Sequence, residues 1–416
     1  MSTLIYWFRN DLRLIDNPAF TDACLHADRL LPIYIHLPQA NNIHALGFPR
    51  QSRHRRAFLR ESLNDLRMQL RALGSDLLEF DGEPKDILVQ LVEYTFADAV
   101  YCERIEAPEE MHQSQAIQER GIPLKEFWQS SMLSPESLPF PAQDMPDMFT
   151  QFRKKVEYAG LRFAAPVMAP SIIPGLPELD EILSMQSSEQ AKTSAHNFLG
   201  GERNAVEHLK QYLVRRLPDT YKETRNQLIG KDYSSKFSPW LALGCISART
   251  IAAKLTEYEQ CHGANDGTYW LWFELLWRDY FRFLHFKYGK QLYRAKGLSE
   301  APIAHSDIQQ SESWCNGSTG QPLVDAGMRE LLKTGYLSNR MRQVVASYWI
   351  YDLQGDWRVG AAWFESQLID YDVYSNQGNW LYIAGRGTDP RGGRPFNVAK
   401  QTQDHDPRGE YQRLWL

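Results

Sequence analysis

The chain has 416 residues, a formal net charge of −5 and five cysteines. Its length predicts two or three domains. The negative charge excludes a protein that coats nucleic acid indiscriminately, because neutralising phosphates requires a basic surface. Apolar runs are too short for a membrane helix and no signal-peptide cleavage pattern follows the first one, so we expect a cytoplasmic protein without a membrane partner. The cysteines are scattered without CxxC spacing, which indicates neither a disulfide framework nor a metal site.

The first 130 residues alternate short apolar runs with longer amphipathic ones. Predicted strands lie at residues 4–8, 30–35, 77–80, 99–102 and 124–127. Predicted helices lie at residues 19–27, 53–73, 85–95 and 109–120. This alternation predicts an α/β domain with a doubly wound parallel sheet, whose ligands bind at the carboxyl ends of the strands. No glycine-rich phosphate motif follows the first strand, which disfavours a classical dinucleotide site.

The remaining chain divides into a connector and a helical part. Residues 131–195 are rich in proline, which resists both helices and central strands, and contain one predicted helix at 149–159. Residues 196–416 show helical periodicity with almost no β-rich runs. We therefore predict three segments: an α/β domain at 1–130, a connector at 131–195 and an all-α domain at 196–416.

A serine-rich segment precedes a predicted helix. Ser234, Ser235 and Ser238 surround Lys236 and Phe237. Hydroxyls and free backbone N–H groups at a helix start favour anions such as a pyrophosphate. The alternative is a structural N-cap, with Pro239 in the first turn of the helix.

An acidic, aromatic and basic pattern marks the next helical run. Glu274, Trp277, Arg278 and Phe281 are spaced i, i+3, i+4 and i+7, so they share one helix face that suits a flat, hydrogen-bonding base. The alternative is a set of core aromatics with one ion pair. Basic residues recur from Arg278 to Lys296 and predict a local basic face, unless they form an ordinary solvated face.

Polar residues also interrupt two apolar helical runs nearer the C-terminus. Asn339 and Gln343 are one turn apart and can reach one ligand, while Arg342 is placed to pair with an acid such as Asp370. Asp370 and Asp372 are costly to bury unless they are paired. The pattern predicts a polar site within a helical core.

These stretches resemble the photolyase and cryptochrome family. Supporting motifs are the opening segment 7–13, the loop 314–322 and the segment 376–380, and the resemblance covers essentially the whole chain. It implies an all-α FAD-binding domain after the α/β domain, FAD as cofactor and DNA as partner. It implies light-driven repair of cyclobutane pyrimidine dimers by a monomer; the alternative is a blue-light photoreceptor.

The resemblance also implies residue roles. FAD binding falls to Tyr221, Ser234, Ser235, Lys236, Phe237, Ser238, Leu241, Arg342, Asp370, Asp372 and Asn376. Substrate and DNA binding falls to Arg225, Glu274, Trp277, Arg278, Asn339, Arg340, Gln343, Tyr382 and Gln401. Glu274, Asn376, Trp380 and Trp357 are implied catalytic residues; Asn376 faces flavin N5, and the two tryptophans are inner members of an electron-transfer chain. Its outer position falls near Ala304 or His305, where no tryptophan stands, so another ring substitutes or photoreduction is weak.

Pocket residues point to the DASH group of this family. Gln343 and Tyr382 match the DASH pattern, as does the segment 385–391, whereas a 6-4 photolyase would have histidines at Asn339 and Gln343. The polar pocket predicts a preference for single-stranded or looped DNA. The chain ends near the end of the family core, so we expect no effector tail, which favours repair over signalling. A folate antenna, 5,10-methenyltetrahydrofolate, is also expected, with Glu106 as a contact.

Overall fold

A computed structural model of the protein describes residues 2–43, 47–178, 198–303 and 307–416. Its one sheet has five parallel strands in the order β3-β2-β1-β4-β5. The strands are β1 Thr3–Phe8, β2 Arg29–His36, β3 Leu78–Asp81, β4 Ala99–Glu103 and β5 Leu124–Phe127. One α-helix follows each of the first four strands: α1 Pro18–His26, α2 Arg53–Ala72, α3 Pro84–Thr95 and α4 Pro108–Gln118.

The central strand shows why this sheet forms. Successive side chains of β1 point to opposite faces: Ile5 and Trp7 are buried in one apolar cluster, and Tyr6 and Phe8 in another. Burial on both faces is typical of a parallel sheet covered by helices. The α/β fold, its five strands and its four helices are confirmed, with helix and strand ends within two residues of their predicted positions.

The rest of the described chain is helical, as predicted. Helix α5 lies in the connector at Phe149–Tyr158, close to its predicted range. The later helices are α6 Glu202–Val214, α7 Tyr221–Thr224, α8 Ser238–Ala242, α9 Ala248–His262, α10 Asp266–Tyr288, α11 Ile308–Asn316, α12 Pro322–Thr334, α13 Asn339–Ser347, α14 Trp357–Gln367, α15 Val373–Ile383, α16 Val398–His405 and α17 Glu410–Trp415. No strand occurs after residue 127 in the described ranges.

The connector is attached to the long helix α10. Asp279 accepts hydrogen bonds from the backbone N–H groups of Met132 and Leu133, at 2.9 and 2.8 Å. Residues 179–197 lie outside the described residues, and the predicted boundary at 195 falls among them. None of the described helices is both long and apolar enough to cross a membrane.

Candidate functional site

A cavity between α13, α14 and α15 collects many of the predicted site residues. Its lining includes Asn339, Arg342, Gln343, Asp370, Asp372, Asn376 and Trp380. These residues come from segments up to 41 positions apart in the chain. The structure therefore brings together residues predicted for the cofactor and residues predicted for the substrate.

Asp370 has one satisfied and one unsatisfied carboxylate oxygen. Arg342 Nη2 donates to Asp370 Oδ2 at 2.7 Å, and Arg342 Nε donates to the Leu337 carbonyl at 2.8 Å. Asp370 Oδ1 is buried and has no hydrogen-bond partner among the described residues. A buried acceptor without a donor is costly, so the site suits a ligand that brings an N–H group. A flavin ring carries such a group.

Asp372 is held as a fixed negative charge. Its carboxylate pairs with Arg282, and Oδ1 accepts from the Ser375 backbone N–H at 2.8 Å at the start of α15. Burial acts to raise the pKa of Asp372, but Arg282 and Arg278 outweigh it and lower the pKa to about 2. The family resemblance implies that Asp372 accepts from the flavin ring. Because its partners already engage both oxygens, Asp370 is the acid with the freer acceptor.

The serine-rich segment forms a loop rather than a helix cap. Ser234 and Lys236 adopt left-handed φ angles of 60° and 54°. Such alternation orients successive backbone N–H groups towards one side, where an anion binds. The alternative interpretation as a serine N-cap is wrong, because the cap residue is Phe237 and makes no side-chain cap hydrogen bond. Helix α8 has only five residues, so backbone N–H groups rather than a helix dipole make this loop suitable for phosphate.

Side chains around this loop are mostly buried. His208 Nε2 lies 2.8 Å from the Ser235 carbonyl, and Lys236 Nζ donates to the Gly230 carbonyl at 3.1 Å. Tyr221 and Leu241, also predicted cofactor contacts, are buried. The Lys236 ammonium is thus engaged within the loop, which leaves the backbone N–H groups as the main hydrogen-bond donors to an anion.

Trp380 lies in a buried cluster of rings. A Cβ at Gly360 would come within 2.1 Å of Trp380 Cη2, so this glycine permits the indole to lie against α14. Trp314 is 6.3 Å from Trp380 and 5.2 Å from Trp349, between ring centroids. The position of Trp314 in the loop 314–322 was the only sequence signal for this ring cluster.

Trp357, the other tryptophan predicted for electron transfer, lies at the start of α14 and borders the second cavity. Trp357 is buried at the start of α14 and its Nε1 donates to the Ala295 carbonyl at 3.0 Å. Asn376 Nδ2 donates to the Ala361 carbonyl at 3.1 Å, and both Asn376 and Trp357 line a second cavity described below. The predicted outer position near Ala304 or His305 lies outside the described residues.

Glu274 and Arg225 form an ion pair beside the predicted substrate pocket. Arg225 Nη1 donates to Glu274 Oε1, and the side chains are 23% and 33% exposed. Burial raises the pKa of Glu274, and Arg225 only partly opposes this. Glu274 can therefore gain a proton more easily than an ordinary glutamate.

Two aromatic rings stand at right angles in the same region. Trp277 and Tyr382 have ring centroids 5.5 Å apart and planes inclined by 78°. Phe149 of the connector helix stacks on Trp277 at 3.7 Å and 14°, which occupies one face of the indole. No sequence pattern signalled Phe149, because the contact joins positions 128 residues apart.

Tyr382 is held by Arg394, which follows the DASH-like segment 385–391. Arg394 Nη2 donates to the Tyr382 hydroxyl at 2.5 Å, and its guanidinium lies 4.4 Å from the ring centre. Asp389 accepts from Arg394 Nε at 2.6 Å. The orientation of Tyr382 is thus determined by two charged residues that the sequence analysis did not assign.

Arg278 is turned away from Glu274 and Trp277. It donates to the carbonyls of Ser130 and Leu241, the latter at 3.0 Å. Burial lowers the pKa of Arg278 to about 10. The prediction of a basic face from Arg278 to Lys296 is corrected here, since Arg282 is only 2% exposed and pairs with Asp372.

The remaining predicted DNA contacts differ in exposure. Arg340 Nη2 donates to Asn226 Oδ1 at 3.2 Å and lies near Arg225. Gln401 is buried, and its Oε1 has no partner among the described residues. Arg340 is therefore grouped with the Glu274 region, whereas Gln401 has little surface to offer.

A second cavity of about 530 Å³ lies where the sheet meets the helical part. It adjoins the residues after the carboxyl ends of β2 and β4, where a parallel sheet places ligands. Arg50, Glu109 and Glu110 line it. Glu106, the predicted antenna contact, is absent from this lining and pairs with Arg104.

Comparisons with known proteins agree with this geometry. A family model for DNA photolyase matches residues 4–171, and one for the FAD binding domain of DNA photolyase matches residues 270–416. The chain is 43% identical to a cryptochrome DASH of Gloeobacter violaceus, over 100% of this chain and 85% of that protein.

Solved structures give the same result. The crystal structure of a Synechocystis cryptochrome matches with a TM-score of 0.93 and 41% identity, over 100% of this chain and 89% of that one. A class III photolyase from Agrobacterium tumefaciens matches with a TM-score of 0.82 and 28% identity, over 100% and 86% of the two chains. The cofactor of this protein is FAD, and the chain belongs to the photolyase and cryptochrome family, in its DASH group.

Proposed function

We propose that this protein repairs cyclobutane pyrimidine dimers in DNA with light, and that it prefers single-stranded or looped DNA. The observation that carries the proposal is the shared cavity, in which Asn339 and Gln343 line the same space as Asn376 and Trp380. A substrate held by the first pair would lie next to a cofactor held by the second. Electron transfer requires this proximity.

The residues on the cofactor side of the cavity would bind and orient FAD. FAD, when bound and reduced, supplies an electron to the dimer on absorbing blue light and takes it back after the two cyclobutane C–C bonds have broken. Asp370 Oδ1 would accept from the flavin, while Arg342 holds the carboxylate in place. The left-handed backbone at Ser234 and Lys236 would bind the phosphates.

The residues on the substrate side would recognise a base that has flipped out of the DNA duplex. Glu274 would hydrogen-bond a pyrimidine base, and its raised pKa makes it easier for the carboxyl to take up a proton that it can donate to a carbonyl. Trp277 would stack through the face opposite Phe149, and Tyr382 would contact the base from the side. Arg225 would bind a flanking phosphate.

The polar pocket supports the preference for unpaired DNA. Extracting a dimer from a duplex costs a few kcal/mol of unpairing and unstacking, whereas a single strand avoids most of that cost. Gln343 and the Tyr382 hydroxyl offer less apolar area to offset it than Met and Trp would.

The second cavity, where the sheet meets the helical part, is the proposed folate site. Glu109 and Glu110 would accept hydrogen bonds from the pterin N–H groups, and Arg50 would pair with the carboxylate tail. Release of a pterin absorbance on denaturing the protein, and its loss in Glu109→Ala, would support this assignment; a protein that never retains a folate would contradict it.

A repair assay tests the main proposal. Ultraviolet-irradiated oligothymidylate is mixed with protein whose FAD is fully reduced, and restored thymine absorbance is followed in blue light and in darkness. We expect restoration only in light, and a rate at least tenfold lower in Glu274→Ala. No restoration with fully reduced FAD would contradict repair and favour the photoreceptor alternative.

A further inference from the structure

The first turns of α10 carry a row of partly exposed aromatic rings. Trp270, Phe273 and Trp277 follow at i, i+3 and i+7, so they lie on one side of the helix with Glu274. All three are partly exposed. We call these four residues the α10 row. One side of these rings packs against the core, and their exposed parts are available to a partner.

Cations border the rings of this row. The Arg225 guanidinium lies 4.5 Å from the centre of the Trp270 ring, and that of Arg153 lies 5.5 Å from the centre of Phe273. Arg153 also donates to the Tyr269 hydroxyl at 3.0 Å. Partly exposed rings beside arginines suit a single strand, since bases stack on the rings while phosphates compete with Glu274 and Glu157 for the cations.

The length of the row matches a short run of bases. Trp270 and Trp277 are seven residues apart, which is about 10 Å along the helix. That distance spans roughly three stacked bases at 3.4 Å each. The row runs from the exposed start of α10, near Tyr269, to Trp277 beside Tyr382. A strand that follows it would therefore lead to the substrate pocket.

We propose that the α10 row is a stacking surface for unpaired bases next to the lesion. The occupant is single-stranded DNA and not a duplex, because the faces of duplex bases are already covered by their neighbours. Placing the lesion at the end of the row depends on the repair function proposed above. Binding of undamaged single strands by the row does not depend on it.

Undamaged DNA tests the stacking surface by itself. Protein loaded with FAD is titrated at fixed salt with labelled oligothymidylate of about 15 nucleotides and with an abasic strand of the same length. Variants are Trp270→Leu and, in case the first folds poorly, Phe273→Leu; FAD content reports folding. The matched control is Tyr94→Leu, an exposed ring on α3.

We expect wild-type protein to bind oligothymidylate more tightly than the abasic strand. Trp270→Leu should weaken oligothymidylate binding by roughly tenfold, with little effect on the abasic strand. Equal wild-type affinities for the two strands, or unchanged binding in both folded variants, would overturn the stacking surface. If the expected pattern appears while dimers are not repaired, only the repair proposal fails.

Discussion

Two partly buried carboxylates beside arginines behave in opposite ways in this protein. Asp372 on the cofactor side pairs with Arg282 and accepts a backbone N–H, and its pKa falls to about 2. Glu274, on the proposed substrate side, pairs with Arg225 and with no other cation in the described part of the chain, and its pKa is raised. Two arginine charges act on Asp372 and one acts on Glu274, and this difference decides the outcome. The cofactor side thus carries a permanent charge, and the substrate side an adjustable one.

Removing the permanent charge should have the largest effect. Asp372→Asn leaves the buried Arg282 without its anion, so we expect a loss of roughly 3–5 kcal/mol in the free energy of unfolding. Urea unfolding followed by flavin release and far-ultraviolet circular dichroism measures it. The control is Glu257→Gln, which breaks an exposed pair with Lys254 and should change stability by less than about 1 kcal/mol. Similar effects for both variants would refute the fixed-charge account.

Low pH should remove the contribution of Asp372 to stability. Because the pKa of Asp372 is lower in the folded than in the unfolded chain, its contribution is complete above about pH 4 and is lost as pH falls towards 2. Asp372→Asn should therefore flatten the acid limb of the stability profile. An acid limb with the wild-type shape would show that other groups dominate it.

Electron supply to the cofactor side is the next test. We expect Trp380→Phe to slow light-driven reduction of bound FAD by about tenfold or more, and Trp357→Phe to slow it less. Trp314→Phe and Trp349→Phe test whether the two tryptophans next to Trp380 also carry electrons. Flavin absorbance under blue light with an external reductant gives the rates. Wild-type rates in both Trp380→Phe and Trp357→Phe would mean that electrons take another path.

The adjustable charge predicts a pH dependence of repair. The pKa of Glu274 is raised in the folded protein, so its protonated form is present at low pH and is lost as pH rises through that pKa. Dimer binding should weaken with rising pH in the wild type and much less in Glu274→Gln, which keeps a hydrogen-bond donor. Parallel profiles for the two proteins would argue against a protonated Glu274.

The smallest expected effect comes from changing pocket polarity. Gln343→Met combined with Tyr382→Trp adds apolar area and removes the hydroxyl that Arg394 contacts. We expect duplex repair to rise several-fold with little change on single strands. Arg394→Met, which frees Tyr382 but leaves the pocket polar, is the matched control. A rise in both variants would trace the effect to Tyr382 mobility.

The sequence was a good guide to whatever depends on local pattern. The five strands and helix α5 follow from apolar periodicity and from proline at segment ends, and the pairing of Arg342 with Asp370 follows from charge and burial. Directions of single side chains did not follow. Arg278 has the spacing of the Glu274 face, yet its guanidinium bonds to two backbone carbonyls on another side of α10.

The contacts that loops make with the rings of Trp277 and Tyr382 could not be predicted. Phe149 covers Trp277 from the connector, and Arg394 orients Tyr382 through a hydrogen bond and a cation–π contact. Both depend on how loops pack after the helices have formed, which no periodicity encodes. The role of Glu106 as an antenna contact, which the family resemblance implies, stays a prediction; its neighbours Glu109 and Glu110 line the second cavity.

Repair rates on matched DNA substrates test the central claim most directly. One dimer-containing strand is presented alone, in a duplex and in an unpaired bubble, to protein with fully reduced FAD under blue light. We predict fast repair of the single strand, much slower repair of the duplex and an intermediate or fast rate in the bubble, because unpairing removes the cost of extruding the dimer. Equal rates on single strand and duplex would contradict the account.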